Sequence, residues 1–302
     1  MNILPRDKQI QIIAALTEGM SIRAVERLTG IHRDTIMRLG AKVGRGCAEL
    51  HDRMVVGIRT NRLELDELWA YIGRRRRQQE KPKHGDPRGD TYTYVALSAS
   101  TRAIVTYRTG KRDSATTDEF IQDLRQRVIG APEISTDGYL PYQNAIRDAF
   151  RGKAAHGQIV KTYSVTNLVT KEAARRYSPA EVIAVEREVV SGLPAYISTS
   201  LVERSHLTMR MQCRRFARLT NAFSKTWPNH AAAVSLHIAF YNFVRVHETI
   251  RSTPAQALGI TDHAWSIGEL IDAALATQPI TPVTSPPERR KRFQVIEGGK
   301  LD

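Results

Sequence analysis

Apolar residues recur at helical spacing along the N-terminal stretch and are interrupted by glycines. One stripe runs through residues 6–18 and stops at Gly19. A second follows Ser21, a residue type that favours helix N-caps, and stops at Gly30. Residues 31–44 repeat the pattern with Arg, Thr and His on the outer face. This order predicts a helix-turn-helix, although an ordinary three-helix module has the same pattern.

Beyond residue 60 the apolar positions alternate, which is typical of strands. Three such segments predict an antiparallel meander, and they span residues 62–73, 91–101 and 103–111. The polar, turn-rich residues 74–90, which include the run Arg74–Arg77, are predicted to form a hairpin loop that contacts phosphates nonspecifically. A helix follows over residues 114–130, with Thr116 or Thr117 as its predicted cap.

A short strand over residues 132–138 and a helix entered through Pro141 complete a recognisable order of elements. Three antiparallel strands, a helix, a fourth strand and another helix is the order of a ribonuclease-H-like domain. The crossover helix makes the fourth strand parallel to the first, so the two strands are expected to be neighbours. The predicted fold class is therefore α/β: a ribonuclease-H-like catalytic domain, with a mixed sheet flanked by helices, preceded by an all-α helix-turn-helix domain.

The second half of the chain is predicted to be mainly helical. One further strand is expected over residues 156–164, a helical excursion over 171–190, helices over 200–219 and 229–248, and a short helical segment near 264–275. A Pro/Thr-rich basic tail ends the chain and is expected to be flexible. We predict a helix-turn-helix domain in residues 1–50, a catalytic domain in 60–255, and a helical segment with tail in 256–302.

Charge narrows the class of partner. Lys and Arg number 45 against 31 Asp and Glu, a net charge of +14, which indicates a phosphate-rich partner. A ribosome-associated or membrane-surface protein has similar charge. The two cysteines exclude a disulfide scaffold and a four-cysteine zinc site. Without a signal peptide or an apolar run of about 20 residues, the chain is predicted to be cytoplasmic and nucleoid-associated, with no membrane contact.

Three widely separated acids carry the candidate chemistry: Asp66, Asp137 and Glu203. Each lies where a predicted strand ends or a helix begins. Carboxylates delivered by separate elements can hold two Mg²⁺ ions roughly 3.5–4 Å apart, and Mn²⁺ is expected to substitute. We therefore predict that all three are both catalytic residues and metal ligands. Other acids, including Glu64 and Glu67, are expected to be solvated surface carboxylates.

Several basic residues are candidates for DNA contact, whereas the histidine and aromatic residues near the acids are expected to have structural places. Candidate DNA contacts are Arg33, Thr35 and Arg38 on the third helix, and Arg204, Arg210 and Arg214 after Glu203. His206 is expected to be a surface residue. Trp69 and Tyr71 are expected to lie in the core or at a strand edge, and packing is also favoured for Tyr139 and Tyr142 over stacking on a distorted base.

Three motifs in this order resemble the insertion-sequence-one family of bacterial DDE transposases. They are LDELW at residues 65–69, TDGYLPY at 136–142 and ERSHLTMR at 203–210. The resemblance covers roughly residues 10–255. It implies Mg²⁺-dependent cleavage and joining of insertion-sequence ends to target DNA, double-stranded DNA as the partner, and no small-molecule substrate. We also expect a homo-oligomer acting on paired DNA ends.

The chain departs from the family pattern at one point. Family members often carry a cysteine-rich zinc-binding segment ahead of the helix-turn-helix, and none is present here. Either this branch lacks it or another product supplies that part of end recognition. Two alternatives stay open: a ribonuclease-H-like nuclease that cuts without joining, and a catalytically silent DNA-binding regulator.

Overall fold

The computed structural model describes residues 4–73, 88–163, 182–217 and 221–276. The α-helices are α1 (Arg6–Thr17), α2 (Ile22–Thr29), α3 (Arg33–Met54), α4 (Ser114–Arg127), α5 (Pro141–Ala149), α6 (Ser200–Gln212), α7 (Trp227–Ala239), α8 (Pro254–Ala257) and α9 (Ile267–Leu275). A 3-10 helix over Arg214–Phe216 follows α6, and a π-helix over Phe240–Val244 follows α7. The strands are β1 (Arg62–Ile72), β2 (Gly89–Ser98), β3 (Ile104–Gly110), β4 (Glu133–Asp137), β5 (His156–Tyr163) and β6 (Val182–Ser191). The predicted loop over 74–90 and the basic tail lie almost wholly outside these residues.

The six strands form one mixed sheet in the order β3-β2-β1-β4-β5-β6. β1, β2 and β3 pair antiparallel, as the predicted meander requires. β4 pairs parallel to β1 on one side and to β5 on the other, which confirms the predicted crossover. A mixed sheet of this order, flanked by helices, is consistent with the predicted ribonuclease-H-like fold.

Side-chain alternation along β1 divides the core between the two faces of the sheet. Leu63 and Leu65 belong to the larger apolar cluster, which includes residues of α4 and α5. Leu68 and Ala70 belong to a second cluster, formed with residues of α6 and α7. The same alternation sends neighbouring polar residues of β1 to opposite faces.

The N-terminal helices form where the sequence predicts them, but α3 is longer than predicted and runs to Met54. Ser21 caps α2 by accepting a hydrogen bond from the N–H of Ala24 at 3.2 Å. The later turns of α3, with Val43, Cys47 and Leu50, share the larger apolar cluster with the sheet. α1, α2 and the start of α3 close a separate small cluster. The predicted domain limits stay a prediction.

Two local predictions were wrong. Residues 182–191 form strand β6 instead of the end of a helix, because they pair antiparallel with β5 across the sheet. The preceding residues 164–181 lie outside the described part of the chain. The cap of α4 is Asp113, which accepts a hydrogen bond from the N–H of Thr116 at 2.9 Å, instead of either threonine. Within the described residues, no helix is long and apolar enough to cross a membrane.

Two glycines allow α3 to lie directly against its neighbours, and their replacement is expected to destabilise the fold. A methyl group at Gly44 would collide with the backbone of Ala232 in α7, and one at Gly46 with that of Ala274 in α9. We expect Gly44→Ala and Gly46→Ala each to lower the free energy of unfolding by about 1–3 kcal/mol, measured by urea denaturation. Gly40→Ala is the control.

In the control, the added methyl group meets only the side chain of Leu16, at 3.1 Å. Alanine is also a better helix former than glycine by about 1 kcal/mol, so this variant is expected to be no less stable than the wild type. Equal stability of all three variants would contradict the close packing of α3.

Candidate active site

The parallel pairing of β1 with β4 brings the first two predicted acids together. Leu63 is paired with Ile134 and Glu64 with Ser135. Continuing this register by two residues places Asp66 level with Asp137, where β4 ends. The sequence prediction that these two acids lie on neighbouring strands is therefore confirmed.

A third acid joins them, and sequence analysis did not find it. Oxygen atoms of Asp66, Glu67 and Asp137 all lie within 4.8 Å of one another, and we call these residues the acidic cluster. The expectation that Glu67 is solvated was wrong, because its side chain is only 3 % exposed. Asp66 and Glu67 leave β1 on opposite faces, and Asp137 at the end of β4 is near both. The adjacency of Glu67 to Asp66 was the only signal in the sequence.

Burial and mutual repulsion make this cluster costly to ionise. Burial raises the pKa of Glu67 to about 7, with the charge of Asp137 adding to the rise and the Tyr142 hydroxyl and Arg112 opposing it. Burial also raises the pKa of Asp137, with a further rise from Asp66. Such a concentration of carboxylates favours binding of a cation at the cluster.

Arg112, from the turn between β3 and α4, offsets part of this charge. Its Nε lies 3.3 Å from Oε2 of Glu67, and its Nη2 lies 3.3 Å from Oδ2 of Asp137. The guanidinium also lies over the ring of Tyr139, 4.1 Å from the centroid. Only a Lys-Arg pair before the helix cap marks this residue in the sequence, which is a weak signal.

Glu203, the third predicted acid, lines the same pocket but lies outside the acidic cluster. It is in the first turn of α6, where its Oε1 accepts hydrogen bonds from Nζ of Lys161 at 2.5 Å and from Oγ1 of Thr199 at 2.9 Å. Its side chain is 44 % exposed. The structure thus brings all three predicted acids to one pocket, and the role of Glu203 as a metal ligand stays a prediction.

Glu64 is the second acid that was wrongly expected to be solvated. It is 1 % exposed, and its Oε2 accepts hydrogen bonds from the backbone N–H groups of Leu201 at 2.7 Å and Val202 at 3.2 Å. Burial raises the pKa of Glu64, while these two hydrogen bonds lower it. A carboxylate at a helix N-terminus satisfies otherwise unpaired donors and opposes the positive end of the helix dipole. Glu64 therefore fixes the start of the helix that carries Glu203.

His206 also contradicts its expected place on the surface. It is buried one turn after Glu203, and its Nδ1 lies 3.2 Å from Oδ2 of Asp66. Asp66 and Glu64 both point to the side of the sheet that α6 covers. The contact with His206 fixes the orientation of the Asp66 carboxylate.

These residues surround a pocket of about 920 Å³, which lies where β4 ends beside β1. Its lining combines the acidic cluster and Glu203 with Arg112, Lys161, His206 and Arg210. Divalent cations such as Mg²⁺ prefer carboxylate oxygens, and three of these converge here from two strands. The donor set therefore fits a divalent metal ion, and the surrounding cations fit a phosphate-containing ligand.

The predicted DNA contacts fall into two groups. On α3, Arg33 and Arg38 are exposed and Thr35 is half-buried, and none of them lines the pocket. After Glu203, Arg210 lines the pocket, while Arg204 and Arg214 are exposed. Exposure fits contact with DNA, which stays a prediction for all six residues.

Comparisons with known proteins give no family assignment. No protein-family model matches the chain, and no curated protein matches it. Among solved structures, a piggyBac transposase synaptic complex with hairpin DNA is similar at 11% identity and a TM-score of 0.39, over 89% of this chain and 69% of that one. A Mos1 paired-end complex with the left transposon end gives 13% identity and a TM-score of 0.19, over 50% and 58%. The Mos1 strand transfer complex gives 12% and 0.22, over 78% and 76%. Values this low do not establish a shared fold.

Divalent metal is expected to stabilise the protein through the acidic cluster. Mg²⁺ or Mn²⁺ that binds only the folded state raises the free energy of unfolding, by about 2.7 kcal/mol at a hundredfold excess over Kd. We expect a rise in Tm for the wild type that is largely lost in Asp137→Asn and Glu67→Gln. Asp118→Asn, at an exposed acid on α4, is the control and is expected to keep the rise. An equal metal-induced rise in all variants would place the ion elsewhere.

Removing the Glu64 carboxylate is expected to destabilise the start of α6. Glu64→Ala leaves two backbone donors without their acceptor at a buried position, which costs about 1–3 kcal/mol, measured by chemical denaturation. Glu64→Gln keeps a carbonyl oxygen and is expected to lose less. Glu186→Ala, at an exposed position of β6, is the matched control. Glu64→Ala with the stability of that control would remove the proposed support for α6.

Proposed function

We propose that this protein is a DDE-type transposase that cleaves and joins insertion-sequence ends to target DNA with Mg²⁺ as cofactor. The observation that carries the proposal is the pocket in which Asp66, Glu67 and Asp137 converge with Glu203, ringed by cationic side chains. A net charge of +14 fits a polyanionic substrate. The sheet order and the three motifs support the same class of enzyme.

The acids are proposed to hold the metal. Asp66, Glu67 and Asp137 supply convergent oxygens, and Glu203 adds a fourth carboxylate from α6. When bound at these residues, Mg²⁺ would activate the attacking hydroxyl and stabilise the leaving oxygen of the phosphodiester. Mn²⁺ offers the same coordination and is expected to substitute.

The cationic residues are proposed to bind and orient the DNA backbone. Arg112, Lys161 and Arg210 line the pocket from three different elements. An arginine can present two parallel N–H donors to a phosphate, and a lysine adds a compact positive charge. Held between them, the scissile phosphate faces the acids, and its negative charge is partly neutralised before reaction.

The joining reaction needs two successive attacks at one site. In the first, the oxygen of a water molecule bonds to the phosphorus at an insertion-sequence end and the P–O3′ bond breaks. The 3′ oxygen takes up a proton and leaves as a hydroxyl. In the second, that hydroxyl attacks a target phosphodiester, one P–O bond forms and one breaks, and a target 3′ hydroxyl is released. His206 and Glu64 act indirectly, because they position Asp66 and Glu203 respectively.

End recognition is assigned to the N-terminal helices. Arg33 and Arg38 are exposed beside Thr35 at the start of α3, and this side is proposed to bind the terminal inverted repeats. Because two ends must be cut and joined together, we expect the active form to be a homo-oligomer. The proposed location is the nucleoid in the cytoplasm.

The decisive experiment is a Mg²⁺-dependent cleavage and joining assay. The substrate is DNA carrying the inverted repeats that flank the reading frame, with a supercoiled target plasmid. We expect the wild type to cut and join the ends. Asp137→Asn and Glu67→Gln are expected to lose both steps by several orders of magnitude while still binding the ends. Asp118→Asn serves as an active control.

Other outcomes separate the alternatives. A structure-specific nuclease would use the same carboxylates but would only hydrolyse DNA. Cutting without joining would therefore favour that alternative. End binding without metal-dependent chemistry would favour a regulator. Full activity of Asp137→Asn would falsify the assignment of the acidic cluster.

A further inference from the structure

A stack of aromatic rings continues along β1 beyond the acidic cluster. The rings of Trp69 and Tyr71 are 5.8 Å apart at 36°, and those of Tyr71 and Phe223 are 4.8 Å apart at 26°. We call these three residues the aromatic run. Nζ of Lys225 lies 3.2 Å from the centroid of the Phe223 ring and places a positive charge at its far end.

These rings are not core residues, so the core is excluded as one of the two places predicted for Trp69 and Tyr71. Trp69 is 38% exposed, and Tyr71 and Phe223 are half-buried. Tyr94, paired with Glu67 in the ladder, is by contrast fully buried. Tyr71 lies between the other two rings and Lys225 covers Phe223, so Trp69, at the end of the run, presents the most ring surface to solvent.

The aromatic run is close to the acidic cluster. Trp69 follows Glu67 by two residues on the same face of β1, a separation of about 7 Å along a strand. Tyr92 lies directly opposite Trp69 in the β1–β2 ladder. The guanidinium of Arg112 lies 5.9 Å from the Tyr92 centroid while contacting Glu67 and Asp137. Aromatic and cationic groups thus lie at intervals between the acids and Lys225.

Such a surface fits nucleic-acid bases better than a protein partner. Every base has a π-face that stacks on aromatic side chains, and Arg112 and Lys225, at the two ends of this surface, can contact the phosphates that flank a stacked base. A protein or peptide ligand would gain little from this charge unless it were acidic. Inside a duplex both faces of each base are already stacked, whereas unpaired nucleotides leave their faces free to stack on this ring surface.

We propose that the aromatic run binds unpaired nucleotides of the DNA strand adjacent to the scissile phosphate. This inference rests on the proposed function, which places a phosphodiester at the acidic cluster. Trp69 is the ring of the aromatic run that follows the acidic cluster in β1, and it is assigned to the first unpaired base. The arrangement would hold a frayed or single-stranded end in register with the pocket.

The test compares binding of three labelled DNAs by fluorescence anisotropy in Ca²⁺, without cleavage. One is a blunt duplex, one carries a short single-stranded overhang, and one carries the same overhang with abasic sites. Base–aromatic stacking is worth about 1–3 kcal/mol, so Trp69→Ala is expected to weaken binding of the overhang about 5-fold or more and to leave blunt-duplex binding unchanged. Trp69→Phe keeps a ring and is expected to retain most of the affinity.

Controls address folding and specificity. Blunt-duplex affinity and thermal unfolding show whether Trp69→Ala is folded. Tyr196→Ala removes a ring that is 52% exposed elsewhere on the protein, and it is expected to bind all three DNAs like the wild type. Abasic sites in the overhang are expected to weaken wild-type binding to the level of Trp69→Ala.

Two results would overturn the inference: equal overhang binding by Trp69→Ala and the wild type, or an equal loss for overhang and blunt duplex. Its failure is distinct from that of the proposed function. A wild type that cuts and joins ends, but binds overhangs without regard to Trp69, refutes only the stacking site. A wild type with no metal-dependent chemistry, but with Trp69-dependent overhang binding, refutes only the transposase.

Discussion

The repulsion among the three carboxylates of the acidic cluster is the constraint on which the rest of the site depends. Parallel pairing of β1 with β4 forces Asp66 and Asp137 to the same level, and Glu67 approaches from the other face. Burial then raises the pKa of Glu67 and of Asp137, so the folded chain bears an energetic cost here. Arg112 offsets part of it, and a bound divalent cation would offset more.

One strand supports both sides of the pocket because its side chains alternate. On one face of β1, Glu64 holds the N-terminus of α6 and Asp66 contacts His206 of the same helix. On the other face, Glu67 contacts Arg112, and the aromatic run begins two residues later. A shift of register by one residue would exchange these roles, so the hydrophobic residues that fix the register also fix the site.

Local pattern predicted the elements well where local forces decide them. The meander, the crossover and the helix carrying Glu203 follow from periodicity, glycine stops and chain order. Prediction failed over residues 182–191, since that segment becomes a strand only by pairing with β5. It also missed the extension of α3 to Met54, which packs against α9 through Gly46.

The sequence by itself determined the order of the first five strands along the chain, the excess of positive charge and the positions of the three candidate acids, because each depends on neighbouring residues or on composition. Only the tertiary structure decided which other groups meet those acids. Glu64 and Glu67 look like surface carboxylates in the chain, and Arg112 like one of many arginines. Their burial and contacts arise from strand pairing and helix packing between distant segments, which no local spacing encodes.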